Sequence, residues 1–540
     1  MRFQLPARRG SQAEPGLKRI AKRVVALSRD LRRPVVAVHD PALAPVLAAR
    51  LPDARVLALP ADAREQHFLL AEHGPVDVLV DLPAPEGRVE RFHQAFFHVR
   101  AGGAYLVPGG AGELGDRPGP LGTLLRAAQD STAGRMRVGN RRRRDRLVVA
   151  LRDHGDFRTD GDDLVLRHRI DDVRAKIREE DLNDYLARVP SPHHVKEIFP
   201  AAPPTPEPAG RTGPVQRSPR PTATAAISLR DYRDVVVGPY QVVIDGRIVL
   251  PDSYRHHPRP LHSHRRLLDL EPHLAIHRER FVVDDLPRLE GTYFHLDDEF
   301  RGHFGHLLTE TISRVWAWPH ALELDPDVKV IVGKVVKRPE PMPYELDFYE
   351  ACGIPRDRIV VIDRPVRVDR LISGTPMFAA PHYVHPEIVP VWDQVGARLV
   401  EGLPERDWPR RIFISRRAGK RDCLNADELE AVFVEHGFVQ VYPEDYPLAE
   451  QVQMFQHAEA VAGYAGSGLF QCAFVDRPLH IIRIGPTSYE PRNEQLLTSA
   501  RGHRLDDVVC QASGTDMHAD WSYSEEREGP FLRSLLADLP

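Results

Sequence analysis

The sequence predicts an α/β protein with several domains, and three observations support this. Short apolar runs, typical of buried strands, alternate with helical stretches along most of the chain, a pattern typical of parallel, doubly wound sheets. The chain has 540 residues, which is more than a single domain normally holds. Between positions 190 and 221, 10 of the 32 residues are proline, which indicates a linker.

Residues 1–189 form the predicted N-terminal Rossmann-like domain. The segments VDVLVDLPAP and FHQAFFHVRAGGAYLVPGG resemble the later strands of S-adenosylmethionine-dependent methyltransferases. The glycine turn that would hold this cofactor is missing, because the first strand ends in Val38-His39-Asp40-Pro41. We therefore predict a degenerate domain without methyl transfer. Its predicted strands cover residues 34–38, 55–59, 76–80, 104–107 and 146–151, and its predicted closing helix covers residues 173–189.

The rest of the chain is predicted to contain a proline-rich linker at residues 190–226 and two further α/β domains, at residues 227–395 and 396–540. The first of these opens with an antiparallel hairpin around Asp245-Gly246, since Asp-Gly between two apolar runs favours a tight turn. Further apolar strands, including RRIFI and AEAVAGY, alternate with helices toward the C-terminus.

Composition limits the kinds of partner that the protein can have. The 73 basic and 77 acidic side chains give a net charge of −4, which argues against nucleic acid as the main partner. The four cysteines form no C-x-x-C pair, so neither a zinc ribbon nor a disulfide framework is indicated. We found neither a signal-peptide pattern nor an apolar run of about 18 residues, the length of a membrane span. We expect a cytoplasmic protein. This location is compatible with peripheral contact between the protein and membrane-bound assembly machinery.

A predicted amphipathic helix over residues 301–318, RGHFGHLLTETISRVWAW, carries the first candidate site. On a helical wheel, His303, His306, Glu310 and Arg314 share one face, opposite an apolar stripe. Three interpretations remain open. His306 and Glu310 can simply hydrogen-bond at i and i+4. His303, His306 and Glu310 can hold a metal ion, although the H-E-x-x-H order of zinc helices is absent. Glu310 can also act as a general base, oriented by His306.

Two further segments predict an anion-binding site. The strand RRIFISRR ends in basic side chains just before a helix that begins after Asn425, and helix N-termini attract anions. A second strand leads into a glycine-containing turn before the apolar segment FQCAF, and glycine lets backbone amides approach a diphosphate closely. The candidate residues of these two segments are Arg416, Arg417, Lys420, Arg421, Gly466, Ser467 and Gly468.

The C-terminal region resembles glycosyltransferase family 61, inverting nucleotide-sugar enzymes that are similar in fold to the two-Rossmann GT-B class. The resemblance covers roughly residues 235–510. It is carried by HFGHLLTETISRVW, ISRR with the following N-x-D-E-L, GFVQVYPEDYPLAEQVQMFQHAEAVAGYAGSGLF, and IIRIGPTSYEPRNE. It implies a GT-B-like pair in which residues 227–395 form the acceptor-side half. Residues 396–540 would form the nucleotide-sugar-binding half and a C-terminal tail.

The resemblance also assigns roles to the candidate residues. It implies that Arg416, Arg417 and Arg421 face the diphosphate and that residues 466–468 form its amide cradle. It places His306 and Glu310 beside the acceptor, and Tyr489 and Asn493 near the nucleotide or the sugar. The family often has a His-Gly pair in its glycine loop, where this sequence has Ala465-Gly466. Activity then requires Arg416 or Lys420 to compensate for that histidine.

The expected function is transfer of a sugar, with inversion, from a nucleoside diphosphate sugar to the hydroxyl of a glycan or lipid-linked acceptor, in surface or capsular polysaccharide synthesis. Inversion needs a base, for which we predict Glu310, and charge stabilisation of the leaving diphosphate. No D-x-D follows an apolar strand in the catalytic region, so we expect no obligatory metal ion or cofactor besides the donor substrate. The alternatives are a non-catalytic sugar-nucleotide or polysaccharide-binding scaffold, and a bifunctional protein with an active N-terminal methyltransferase.

Overall fold

The computed structural model describes residues 13–82, 85–130, 143–215, 223–254, 264–338, 340–379, 382–417, 419–490 and 492–539. The chain divides into two compact units. The N-terminal unit consists of Met1–Pro190, Ile244–Pro251 and Pro260–Phe281. The C-terminal unit consists of Ser191–Val243, Asp252–Arg259 and Val282–Pro540.

The main sheet of the N-terminal unit is largely parallel. Its strands lie in the order Arg55–Ala58, Val35–Val38, Val76–Val80, Val99–Val107, Asp163–His168 and Gly155–Asp160, with antiparallel pairing only at the last two steps. Val36, Val78 and Leu106 are buried beneath flanking helices, as expected for strands with both faces covered. The helices of this unit are Ala13–Leu27, Leu43–Arg50, Ala63–His73, Arg88–Ala95, Pro120–Gln129, Arg143–His154 and Leu182–Arg188, with 3₁₀ turns at Phe96–His98, Ala111–Leu114 and Glu179–Asp181.

Two predicted elements of this unit are wrong. Residues 146–151 were predicted to form a strand, but they lie in the helix Arg143–His154, where Leu147, Ala150 and Leu151 are buried at helical spacing. A short apolar run does not by itself distinguish a buried strand from a buried helix. The predicted helix over residues 173–189 begins instead with the strand Val173–Lys176, because tertiary pairing with neighbouring strands overrides the weak helical spacing.

The predicted hairpin around Asp245-Gly246 is confirmed. Ile244 pairs with Val249 and Asp245 with Ile248, and Gly246 has a φ of 49°, the left-handed conformation that glycine adopts without steric cost. Within the N-terminal unit, Ile248–Val249 also pairs with Val173–Lys176, which pairs with Leu274–His277, and that strand pairs with Leu267–Glu271.

The C-terminal unit contains two main sheets. The first has the order His194–Phe199, Ile227–Gly238, Val366–Gly374, Arg288–His295, Lys329–Gly333 and Ile359–Ile362, and its last three pairings are parallel. The second is entirely parallel, in the order Val439–Val441, Arg411–Ile414, Ala460–Tyr464, His480–Pro486, Arg504–Cys510 and Thr212–Gly213. A small antiparallel pair joins Phe378–Ala379 to Tyr383–Val384.

Helices pack around both sheets of the C-terminal unit. They are Trp318–Leu324, Pro343–Ala351, Val389–Val400, Ala426–Glu435, Leu448–His457, Arg492–Arg501 and Gly529–Leu536, with a helical segment over Phe304–His306 described below. Shorter 3₁₀ turns occur at Pro251–Ser253, Val283–Asp285, Arg356–Arg358, Pro386–Ile388 and Pro443–Asp445. One hydrophobic core includes Val330 of the first sheet and Val461 of the second. The fold is therefore α/β with parallel-rich sheets, as predicted.

The range predicted as a linker contains regular structure. His194–Phe199 pairs antiparallel with the long strand Ile227–Gly238, and Thr212–Gly213 pairs with Arg504–Cys510. Proline is rare within strands but tolerated beside them, and the run HVKEIF has no proline. Residues 216–222 of the predicted linker lie outside the described residues. The predicted division at residues 189, 226 and 395 remains a prediction.

Within the described part of the chain, no helix has both the length and the hydropathy that a membrane span requires.

Candidate functional site

The segment that carries His306 and Glu310 is helical but irregular. It begins as a short helix at Phe304–His306, widens into a π-helical turn at Leu307–Thr311, and tightens into a 3₁₀ helix at Ile312–Ala317. The predicted helix is therefore present from Phe304 onward, but it is irregular and its polar face is buried at Glu310 and Arg314. The core of the unit surrounds this segment, so Glu310 is buried together with Leu308. Single π-helical turns are frequent at functional sites.

His306 and Glu310 form the predicted i, i+4 contact. The His306 Nδ1 atom lies 3.0 Å from a carboxylate oxygen of Glu310, which also accepts a hydrogen bond from the Thr309 hydroxyl. The His306 ring stacks on Phe300, with the ring centres 4.6 Å apart. The Glu310 side chain is 5% exposed and that of His306 is 18% exposed. The imidazole thus lies at the boundary between a buried carboxylate and solvent, where it can orient the carboxylate.

The buried side chain of Arg314 places a positive charge near the Glu310 carboxylate. Arg314 donates to the carbonyl of Asp297 at 3.1 Å and interacts electrostatically with Asp298 and Glu310. Burial lowers the pKa of Arg314, and these acidic groups oppose that shift. Glu310 is therefore held by hydrogen bonds from His306 and Thr309 and lies near the charge of Arg314.

The glycine loop, residues 465–468, touches the helical segment through Gly305. A Cβ atom built on Gly305 would lie 2.8 Å from the Cβ of Ser467 and 3.4 Å from the Phe470 ring. Only glycine allows this approach, because any side chain would overlap Ser467. The structure thus brings the His306–Glu310 segment and the glycine loop into direct contact, although they are far apart in sequence.

We expect Gly305→Ala to destabilise the protein by about 1–3 kcal/mol, the usual cost of overpacking. In an exposed helix the same change would instead stabilise by about 1 kcal/mol, so the sign is diagnostic. Urea unfolding of the variant would measure the change. Gly514→Ala is the matched control, because its added Cβ would make only an ordinary contact, 3.8 Å from Ala519. A Gly305→Ala variant as stable as this control would contradict the tight contact.

Arg416 and Arg421 lie next to the glycine loop. Their position follows from the parallel sheet, in which Arg411–Ile414 pairs directly with Ala460–Tyr464, so that the two strands end at the same edge. Arg416 donates to the carbonyl of Arg421 at 2.6 Å, and its guanidinium lies over the Tyr464 ring. A Cβ built on Gly466 would lie 3.5 Å from the Arg421 guanidinium. Burial lowers the pKa of Arg416, and the charge of Arg421 lowers it further.

The aromatic ring of Tyr489 packs against Arg421. The guanidinium carbon lies 3.9 Å from the ring centre, and burial raises the pKa of the Tyr489 hydroxyl. Asn493 follows on the helix Arg492–Arg501, where its buried Oδ1 has no hydrogen-bond partner among the described residues. Tyr489 therefore lies beside Arg421, and Asn493 directly precedes Glu494, whose carboxylate contacts Gly466.

Three predicted site residues are not brought into this neighbourhood by the contacts of the structure. Arg417 is 57% exposed and pairs with Glu444 at 3.0 Å and Asp445 at 2.9 Å. Lys420 is exposed. His303 precedes the helical segment and is exposed, although its ring centre lies 4.7 Å from that of His306. Within the described residues, His303, His306 and Glu310 do not converge at metal-binding spacing.

Glu494 is a residue of this site that the sequence analysis missed. One carboxylate oxygen accepts the N–H of Gly466 at 2.8 Å, so the amide assigned to a diphosphate contacts a protein carboxylate here. Burial raises the pKa of Glu494, and Arg483 and Arg421 act against that shift. Its position next to Asn493, in the third helical position of Arg492–Arg501, was the only available sequence signal.

The backbone of the glycine loop requires glycine at position 466. Gly466 has a φ of 143°, which residues other than glycine rarely adopt, and Ser467–Phe474 continues as a 3₁₀ helix. Ala465 is 2% exposed and lies against Gly485. The N–H of Gly466 therefore donates a hydrogen bond to the carboxylate of Glu494.

Comparison with known proteins adds the following. Residues 304–482, about one third of the chain, match the family model of Glycosyltransferase 61, and this range includes His306, Glu310, the basic strand end and the glycine loop. The match supports glycosyltransferase activity in general terms. Among curated proteins, none matches this sequence.

The chain is also similar to a solved structure, the MycE methyltransferase from the mycinamycin biosynthetic pathway in complex with Mg and SAH. The similarity has 14% identity and a TM-score of 0.20, and it covers 28% of this chain and 48% of that chain. The chain therefore spans about half the length of that structure. The match falls weakly on the N-terminal region, and a TM-score of this size carries no functional argument.

Proposed function

We propose that the C-terminal unit is an inverting glycosyltransferase that uses a nucleoside diphosphate sugar and transfers the sugar to an acceptor hydroxyl. The observation that carries the proposal is the contact between Gly305 and Ser467. It joins a buried histidine–glutamate pair to a glycine loop flanked by arginines. An inverting transfer needs both a base and a site for the leaving diphosphate.

On the acceptor side, Glu310 takes the proton from the attacking hydroxyl. The carboxylate is buried and already accepts hydrogen bonds from His306 and Thr309, so its orientation is fixed before the substrate arrives. The half-buried His306 ring lies between Glu310 and solvent. His306 is the positioning residue.

On the donor side, Arg421 and Arg416 stabilise the charge of the leaving diphosphate, and the Tyr489 ring beside Arg421 provides a surface for the nucleotide or the sugar. The donor must displace the Glu494 carboxylate from the amide of Gly466. Arg417 contributes only if it leaves Glu444 and Asp445. The proposal assigns no step to a metal ion, and cytoplasmic synthesis of a surface polysaccharide remains part of it.

The proposal can be tested with a thermal-shift panel of nucleoside diphosphate sugars on the full-length protein. A ligand at 100 times its dissociation constant stabilises the folded state by about 2.7 kcal/mol, which gives a clear rise in Tm. We expect at least one sugar nucleotide to stabilise the protein and the same compound to support sugar transfer. Binding without transfer to any acceptor would instead favour the binding scaffold.

We expect Arg421→Ala to weaken donor binding about 10- to 100-fold, because a hydrogen bond to a charged group contributes about 1.5–3 kcal/mol. Arg416→Ala should act in the same direction. Calorimetric titration with the stabilising donor would measure both. Arg417→Ala is the matched control, since Arg417 pairs with surface carboxylates and should leave the affinity unchanged. An equal loss in the Arg417 and Arg421 variants would contradict the assignment of the diphosphate to the glycine loop.

A second candidate function, ligand binding by the N-terminal unit, is favoured by one cavity. This cavity of about 940 Å³ is lined by His39, Leu59, Gln66, Arg91 and others, near the ends of the first strands. The strand before it lacks the glycine turn that S-adenosylmethionine needs, so we expect this compound to cause no shift in the same panel. A shift with S-adenosylmethionine would support the bifunctional alternative.

A further inference from the structure

Three histidines from distant parts of the sequence converge within the N-terminal unit. His67 lies on the helix Ala63–His73, His98 ends the turn Phe96–His98, and His273 lies between the strands Leu267–Glu271 and Leu274–His277. One ligand atom from each imidazole lies within 4.8 Å of the other two. The cluster lies outside residues 304–482, so it is independent of the proposed glycosyltransferase site.

Hydrogen bonds to backbone carbonyls set the tautomers of two of these rings. The Nε2 atom of His67 lies 3.2 Å from the carbonyl of Lys176, and that of His273 lies 2.9 Å from the carbonyl of Gln94. A carbonyl only accepts, so Nε2 carries the proton in both rings and Nδ1 carries the lone pair. Metal-binding histidines commonly have this arrangement, in which a backbone carbonyl fixes the ring and its tautomer.

The third ring completes the cluster from a fully buried position. The Nε2 atom of His98 lies 3.4 Å from Nδ1 of His67. The other nitrogen of His98 is buried and has no hydrogen-bond partner among the described residues. Ligand atoms bonded to one tetrahedral ion at about 2.0–2.1 Å lie about 3.4 Å apart, so His67 and His98 already have the spacing of two zinc ligands. The ligand atom of His273 lies within 4.8 Å of both.

The protonation of the cluster agrees with its geometry. Burial lowers the pKa of His67 to about 4 and that of His98 well below its ordinary value, so both rings are neutral near pH 7. Neutral imidazole is the form that binds metal. The charges of Lys176, Arg178 and Arg247 also act on these rings, although Lys176 is paired with Asp269 at 2.9 Å. These positively charged side chains disfavour metal ions that bind mainly by electrostatic attraction.

We propose that His67, His98 and His273 bind one divalent transition-metal ion, and that Zn²⁺ is the ion that fits best. Three nitrogen ligands suit Zn²⁺ and its neighbours in the first transition series, whereas Mg²⁺ and Ca²⁺ require oxygen ligands. The ion would tie together a helix, a turn and a hairpin loop that are distant in sequence. A three-histidine set also leaves the fourth tetrahedral position for water or another ligand.

The test uses the full-length protein after treatment with a chelator. Titration with Zn²⁺ should show one bound ion per chain with a rise in Tm, and titration with Co²⁺ should produce the visible absorption of tetrahedral cobalt. His67→Gln and His273→Asn change half-buried side chains and should each abolish the cobalt spectrum and weaken Zn²⁺ binding at least 10-fold. Circular dichroism checks that both variants fold.

His154→Ala is the matched control, because His154 belongs to the same unit but is exposed on the helix Arg143–His154. It should retain the wild-type stoichiometry and spectrum. The proposal is overturned if the folded wild-type protein binds neither ion. It is also overturned if folded His67→Gln binds Zn²⁺ with the same stoichiometry and affinity as His154→Ala.

Discussion

Replacing Glu310 by glutamine is expected to lower the rate of sugar transfer by roughly 10²- to 10⁴-fold, the usual contribution of a general base. Glutamine has nearly the same size and can still accept hydrogen bonds from His306 and Thr309, so the fold should persist. It cannot take a proton from the acceptor hydroxyl. The loss should therefore fall on kcat, while the dissociation constant of the donor stays nearly unchanged.

The measurement is steady-state transfer with a donor that the thermal-shift panel has identified, together with a calorimetric titration of that donor. Glu323→Gln is the matched control, because Glu323 also contacts a histidine, His320 at 3.3 Å, but is 74% exposed. This control should be fully active. Full activity in Glu310→Gln would move the base to His306 or His303.

His306→Ala separates orientation from proton transfer. If His306 only orients Glu310, its removal should cost less activity than Glu310→Gln, because the hydrogen bond from Thr309 remains. A larger loss in His306→Ala would make the histidine the base and Glu310 its partner. The two variants together thus test the roles within the pair, whereas donor binding tests the other half of the site.

The second large effect is expected on the stability of the fold rather than on the rate of transfer. We expect Asp252→Ala to destabilise the protein by about 3–5 kcal/mol, because it leaves a buried arginine without its counter-charge. Arg230 donates to Asp252 at 3.0 Å and to Thr375 at 3.0 Å, and the side chains of Arg230 and Asp252 are each 1% exposed. Tyr232 donates to the same carboxylate at 2.7 Å.

Chemical denaturation near pH 7 would measure this change. Asp347→Ala is the control, since Asp347 pairs with Arg356 at 3.0 Å but both side chains are about half exposed, and exposed pairs contribute at most about 1 kcal/mol. Equal effects of the two substitutions would contradict the importance of burial. The double change Arg230→Met with Asp252→Leu should recover part of the loss, because it removes both charges.

The contribution of Asp252 also has a defined pH dependence. Burial alone would raise its pKa, but Arg230 and the hydrogen bond from Ser373 outweigh this and bring the pKa to about 2, below its ordinary 3.8. A carboxylate whose pKa is lower in the folded than in the unfolded state stabilises the folded state at pH values above its unfolded-state pKa. This contribution is lost as the pH falls through the folded-state pKa. The difference between the wild type and Asp252→Ala should therefore shrink between pH 3.8 and about 2.

Much of the fold could be predicted from local patterns. Strands such as Val35–Val38 are covered on both faces, so they appear as continuous apolar runs that a single sequence displays directly. The hairpin at Gly246 depends on turn residues close in sequence, and the helix Ala426–Glu435 begins after Asn425 as predicted. The same local logic misassigned residues 146–151, because a short apolar run suits either element.

The candidate site was only partly accessible in this way. The i, i+4 contact of His306 with Glu310 follows from helical spacing, and the arginines and the glycine loop follow from the ends of neighbouring parallel strands. The burial of Glu310 and the contact of Glu494 with Gly466 did not appear in any pattern. They arise because the surrounding core covers the polar face of the helical segment and a distant helix packs against the glycine loop.

The sequence by itself thus determined the α/β class, most strands, and the residue types of the proposed transfer chemistry, since each depends on neighbours within a few positions. Only the tertiary structure decided which distant residues meet: Gly305 with Ser467, Glu494 with Gly466, and His67 with His98 and His273. The physical reason is that such meetings depend on the packing of whole elements. Residues separated by tens or hundreds of positions have no local periodicity that records their contact.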